Sequence, residues 1–202
     1  MNYFQAGVDT ALAMTEAIGP IKTNKDAALG RGNIVCDTVD PLDSFYPDRY
    51  MGTWYEIQHS MGQPFQPDST SCTRAEYTDL DADAGTFKVY NNYQLGRLPP
   101  VGVHGTASCA GQPNGQCIVS FFGQKFDAPN YKIIDTDYDS YAMVYDCSEN
   151  DMAYLWILSR TPTMDQTLFD SLNAQAAQKL PNYDFNNAAI DVQGDEGHCY
   201  YS

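Results

Sequence analysis

Residues 50–57, Tyr50-Met51-Gly52-Thr53-Trp54-Tyr55-Glu56-Ile57, lead into the first of eight short extended runs, and the architecture is read outward from them. That first run is Gly52–Ser60. Seven more follow: Ser71–Asp79, Thr86–Leu95, Val101–Cys109, Cys117–Phe122, Tyr131–Thr136, Tyr141–Cys147 and Tyr154–Arg160. The joints between them, such as Asp83-Ala84-Gly85, Leu98-Pro99-Pro100 and Ala128-Pro129-Asn130, carry the residues that tight turns require. Asn114-Gly115 just before the Cys117 run is a hairpin signal. Eight short strands in succession with no helix between them describe an antiparallel up-and-down barrel or a sandwich.

A helix follows the last run. Thr163 and Gln166 have the spacing of a capping box, which predicts a helix beginning just after Thr163. Met164, Leu168, Leu172, Ala176 and Leu180 recur every four residues, a stripe suited to packing on the outside of the strands. Pro181 stops the pattern, and one strand-like run, Ala188–Val192, lies in the tail. Residues 1–35 read differently. Val8, Ala11, Leu12, Thr15 and Ile18 share a helical face, Gly19-Pro20 interrupts it, and a polar stretch follows. The expected organisation is an N-terminal extension over 1–35, helical and then linker-like, and one domain over 36–202. The extension is a candidate docking element for a protein partner or for self-association.

Composition narrows the function classes. Eleven basic against 26 acidic residues give a net charge of -15, which repels nucleic-acid phosphates and anionic lipid. No run reaches the roughly 18 apolar residues of a membrane helix. Met1–Ala13 lacks a basic start, and Asp9 and Thr10 interrupt its apolar stretch. This fits a mature chain whose leader is gone, an added segment or a cytosolic chain. Six cysteines without a Cys-x-x-Cys pair point to three disulfides, an oxidising compartment and a secreted protein. With only three histidines, no metal site is expected. His59, His104 and His198 have no triad spacing, and no catalytic residues are assigned.

Three short motifs carry a family resemblance. Gly52-Thr53-Trp54 on the first run, Thr136-Asp137-Tyr138 between the sixth and seventh, and Arg160 closing the eighth occur in order. The chain resembles the lipocalins, in particular the apolipoprotein D-like branch with its crustacyanin and bilin-binding members, over about residues 36–199. The resemblance implies an all-β, eight-stranded antiparallel barrel with one C-terminal helix packed outside. It implies structural roles for Gly52, Trp54, Asp137, Tyr138 and Arg160, with Arg160 packed across the Trp54 indole at the closed end.

It also implies a binding protein for a small hydrophobic ligand, such as a fatty acid, sterol, retinoid, carotenoid or tetrapyrrole. The 15 Tyr, 9 Phe and 2 Trp favour a conjugated pigment. Ligand contacts matched by position are Tyr77, Asn91, Tyr131 and Trp156. Strand parity adds Leu158, on the face of Arg160, and Gln58, on the face of Trp54 and Glu56. Two alternatives are a pigment-carrying or structural subunit docked through residues 1–35, and an isomerase using an unpaired thiol inside the barrel. The resemblance pairs Cys36 with Cys147 and Cys72 with Cys199. Cys109 and Cys117, which flank one hairpin, are left to each other, and no thiol then remains for the isomerase. Every cysteine lies from Cys36 onward, so removal of the residues before Ile34 is expected to leave one cooperative thermal transition, as calorimetry can check.

Overall fold

A computed structural model describes residues 36–63, 66–111, 114–148, 152–194 and 198–201; the expected helix over residues 8–18 lies outside them. A one-turn helix α1 (Pro47–Tyr50) leads into β1 (Gly52–Ser60), β2 (Ser71–Asp81), β3 (Thr86–Gln94), β4 (Val101–Ser108), β5 (Gln116–Phe121), β6 (Tyr131–Thr136), β7 (Tyr141–Ser148) and β8 (Met152–Ser159). Helix α2 (Gln166–Lys179) and a short β9 (Ala188–Ile190) follow. Successive strands pair antiparallel, and β1 pairs with both β8 and part of β2, so the eight strands close into a barrel.

The alternation of β7 separates two apolar layers. Ala142 and Val144 point into the barrel, where they join Trp54, Tyr77, Ile133 and Leu158. Met143 and Tyr145 point outward and pack with Leu155 and Ile157 under Leu172, Ala176 and Leu180 of the C-terminal helix. The stripe read from sequence is therefore the one α2 buries, but the cap is not Thr163. Asp165 takes that role, its carboxylate accepting from the backbone N–H of Thr167 at 2.9 Å and of Leu168 at 3.1 Å. A carboxylate satisfies two orphan donors and suits the positive end of the helix, so it wins over the hydroxyl two residues earlier.

Alternation fails at one place that matters. In β1, Glu56 lies opposite Leu158 and Gln58 opposite Ile157, so one extra residue is inserted between them. This bulge turns Ile57 and Gln58 together towards α2: Ile57 joins the outer apolar layer, and the Gln58 amide donates to Asn173 Oδ1 at 3.1 Å. Gln58 is therefore outside the barrel, contrary to the parity expectation, and His59 takes the inward position opposite Trp156.

The tail closes a seam. β1 and β2 pair only as far as Tyr55 and Arg74. Beyond that point β9 runs antiparallel to β1, and the next residues bridge the gap. The N–H of Asp191 donates to the carbonyl of Ile57, and the N–H of Cys72 to that of Val192. The Gln193 amide donates to both Glu56 O at 2.9 Å and Thr73 O at 2.8 Å. Disulfides join Cys36 to Cys147, Cys72 to Cys199 and Cys109 to Cys117. The second of these ties the tail to the start of β2.

The closed end is held by Arg160. Its guanidinium lies 3.6 Å from the centre of the Trp54 ring. It donates to the carbonyls of Tyr138 (3.0 Å), Thr53 (3.0 Å) and Arg49 (2.8 Å). The Trp54 indole N–H donates to Tyr50 O at 2.9 Å. Gly52 adopts a φ of +93°, and a side chain there would be strained as well as close to the guanidinium. The turn at the same end is built on Asp137, whose carboxylate accepts from the N–H groups of Asp139, Ser140 and Tyr141. Trp54 is fully buried, so Trp54→Ala is expected to destabilise the barrel by about 3–5 kcal/mol in chemical denaturation.

Candidate functional site

The inner face of the barrel, between the closed end and the loops at the opposite end, is the surface a ligand would meet. Its floor is aromatic. The Tyr131 hydroxyl is shared between Tyr50 (2.9 Å) and Tyr77 (3.0 Å), and the Tyr50 and Tyr77 rings stack with centroids 5.5 Å apart. Burial raises the Tyr77 phenol to about 12 and pushes Tyr50 and Tyr131 well above their ordinary value. All three are neutral hydrogen-bonding groups at physiological pH.

Above the floor the wall is mainly apolar, with Val89, Val144, Leu158 and the Trp156 ring on one cluster. Trp156 donates its indole N–H to Gln63 Oε1 at 3.2 Å. Asn91 stands opposite Ala75 on β2 and Val103 on β4, and its buried Oδ1 has no hydrogen-bond partner. Of the six expected contacts, Tyr77 and Tyr131 touch each other, and Trp156 and Leu158 pack on the same inner cluster. Asn91 shares their face by register, and only Gln58 is turned away.

A Glu–His pair sits on this wall; the parity reading placed Glu56 here and left His59 out. The bulge puts Glu56 and His59 on one face, with His59 Nδ1 2.8 Å from Glu56 Oε1 and both side chains almost fully buried. Gln66 from the β1–β2 loop donates to the same carboxylate at 2.6 Å and to Thr70 Oγ1 at 3.2 Å. Burial alone would lower the imidazole pKa, but the Glu56 hydrogen bond and charge, with Asp191 and Asp68, hold it above its ordinary value. Asp191, in the seam, accepts from Thr73 N–H at 2.9 Å and is pushed up to about 7, first by burial and then by Glu56. Strict alternation hides this pair, since it assigns Glu56 and His59 to opposite faces. The one warning in the sequence is that Gln58, His59 and Ser60 are polar in a row, so neither face can be purely apolar.

No cluster of three or more potential metal ligands occurs among the described residues, and no described helix is long and apolar enough to cross a membrane. All six cysteines are bonded, so the barrel offers no thiol.

Comparison with known proteins places these features in a family. The family model described as a lipocalin-like domain matches residues 47–190. The outer membrane lipoprotein Blc of Citrobacter freundii is 33% identical over 142 residues, covering 70% of this chain and 76% of the relative. Apolipoprotein D of Rattus norvegicus is 32% identical over 133 residues, covering 63% and 67%. Among solved structures, insecticyanin of Manduca sexta superposes with a TM-score of 0.67 at 22% identity, covering 85% of this chain and 94% of that one. Lobster apocrustacyanin A1 gives 0.62 at 20% identity, covering 82% and 94%. The two structural likenesses show the fold.

Asp191 gives the site a pH signature. Between its ordinary value of 3.8 and about 7, the folded protein holds a proton that the unfolded chain releases, so this carboxyl makes stability fall as pH rises through that window. Asp191→Asn keeps an acceptor for Thr73 and removes the effect. It is expected to raise the melting temperature at pH 8 by a few degrees, on the order of 1–3 kcal/mol, and to change it little near pH 4.

Proposed function

The chain belongs to the lipocalin family, whose members bind small hydrophobic molecules, and from that premise we propose that it is a secreted carrier that holds such a molecule in its barrel and performs no chemistry on it. The observation that carries the reading is the inner wall. Aromatic and aliphatic side chains line it, and a few polar groups stand among them, which is the composition of a small-molecule site. A fatty acid, sterol, retinoid, carotenoid or tetrapyrrole would fit. The rings of Tyr77, Tyr131 and Trp156 favour a flat conjugated molecule, which stacks on aromatic faces. Secretion is supported by the three disulfides, which persist in oxidising compartments. The non-catalytic reading is supported by the bonded state of every cysteine, since a thiol mechanism needs a free thiolate.

Mass spectrometry of protein purified from its natural source is the direct test, with a visible absorption band as the quick indication of a pigment. A complementary test uses all-trans-retinol as probe. Trp156→Ala is expected to weaken retinol binding, read by the probe's own fluorescence, at least fivefold, the scale of one aromatic contact. The thermal transition should stay cooperative, because Trp156 is only partly buried. Unchanged affinity would remove Trp156 from the site.

A further inference from the structure

The Glu56–His59 pair is more elaborate than the barrel's own hydrogen bonding requires. His59 is 1% exposed, and its Nδ1 is held by Glu56. Its Nε2 is buried with no hydrogen-bond partner. A buried polar atom left unpaired costs free energy, and such exceptions call for an explanation. His59 lies opposite Trp156 on the inner face, so this atom belongs to the wall that the carrier reading assigns to the ligand.

The surrounding charge decides which partner the atom can take. Glu56, Asp191 and Asp68 favour the imidazolium, and a protonated ring with Nδ1–H given to Glu56 has one N–H left, at Nε2. That is a donor with no acceptor capacity, so its partner must bring an oxygen lone pair. The same carboxyl groups have already neutralised the ring. Glu56 is 2.8 Å away, and Asp191 is a second acid in the adjoining seam. Arg74, on β2, is engaged with Asn92 Oδ1 at 3.2 Å, with Glu76 at 3.4 Å and with the Tyr201 ring of the tail. A further carboxylate buried here would lack a counter-charge of its own and would face the Glu56 carboxylate. A neutral carbonyl or hydroxyl oxygen meets neither penalty.

We propose that the Glu56–His59 pair is the polar anchor of the barrel, and that it selects a neutral apolar molecule presenting a carbonyl or hydroxyl oxygen to His59 Nε2 over the carboxylate of the same skeleton. The proposal rests on the carrier reading and adds the chemical class of its ligand. The unpartnered Asn91 Oδ1 on the same face is an acceptor, and it suits a ligand that also carries a hydroxyl.

Tritiated all-trans-retinol and all-trans-retinoate, which share a skeleton and differ in head-group charge, test it on the full chain at pH 6, below the ordinary imidazole value of 6.5 that Glu56 raises, where the ring carries its proton. The wild-type protein is expected to bind retinol about tenfold more tightly, the scale of one hydrogen bond to a charged group. Glu56→Gln combined with His59→Leu removes both charges together and leaves no lone buried ion. It should lower retinol affinity by about the same factor without weakening retinoate. His59→Gln, which keeps a donor for Glu56 but presents no imidazolium, should give the same selective loss. Equal wild-type affinities, or retinol binding untouched by either variant, overturns the anchor and leaves the carrier reading standing. Binding of neither probe overturns the anchor as well, and the carrier reading is overturned only if the protein purified from its source also holds no apolar ligand by mass spectrometry. The wild-type comparison holds even where a variant fails to fold.

Discussion

The guanidinium of Arg160 lies against the face of Trp54 while its nitrogens donate to three backbone carbonyls from three separate parts of the chain. Few side chains could do this. The fork must be planar to lie on the indole, permanently charged to make the contact worth its desolvation, and rich enough in donors to saturate the carbonyls. The contact joins the start of β1, the end of β8, the β6–β7 turn and α1 at one point. It also explains why β1 begins with glycine, whose backbone takes a φ of +93° beside the guanidinium.

From that fixed end, the character of the inner face changes along the barrel. Near Arg160 it is a closed aromatic floor in which three phenols hydrogen-bond to one another and stay neutral. Further along β1 the inserted residue changes the face on which side chains fall. One consequence is structural, since Ile57 and Gln58 both serve the interface with α2. The other concerns binding, since His59 Nδ1 and the Glu56 carboxylate meet inside the barrel as a pair that two alternating positions could not form. A single extra residue therefore adds Ile57 and Gln58 to the interface with the outer helix and gives the inner wall its Glu56–His59 pair.

The seam between β1 and β2 is the compensating device. The strands part where the bulge begins, and their free backbone groups would be orphaned. Asp191, Val192 and Gln193 satisfy several of them, and the Cys72–Cys199 bridge holds that tail in place. The raised Asp191 carboxyl is the cost of closing a polar gap with a buried acid next to Glu56.

The number, order and limits of the strands were legible without coordinates, because turns need Gly, Pro, Asn and Asp and these stand between the runs. Most strand ends lie within one or two residues of the expected ones. The Gly52, Trp54 and Arg160 motifs were equally legible, as were the cysteines. The start of α2 was misplaced because Thr163 and Asp165 are both competent caps, and only the path out of β8 chooses between them. Gln58 was misassigned and His59 overlooked for a different reason. Parity counting assumes that no residue is inserted, and nothing in Glu56-Ile57-Gln58-His59 marks a bulge. The demand for it comes from elsewhere: β1 must keep register with β8 while supplying an apolar side chain to α2. That requirement couples residues about a hundred positions apart, so the composition of the inner wall follows from the closed barrel and cannot be read from β1 alone.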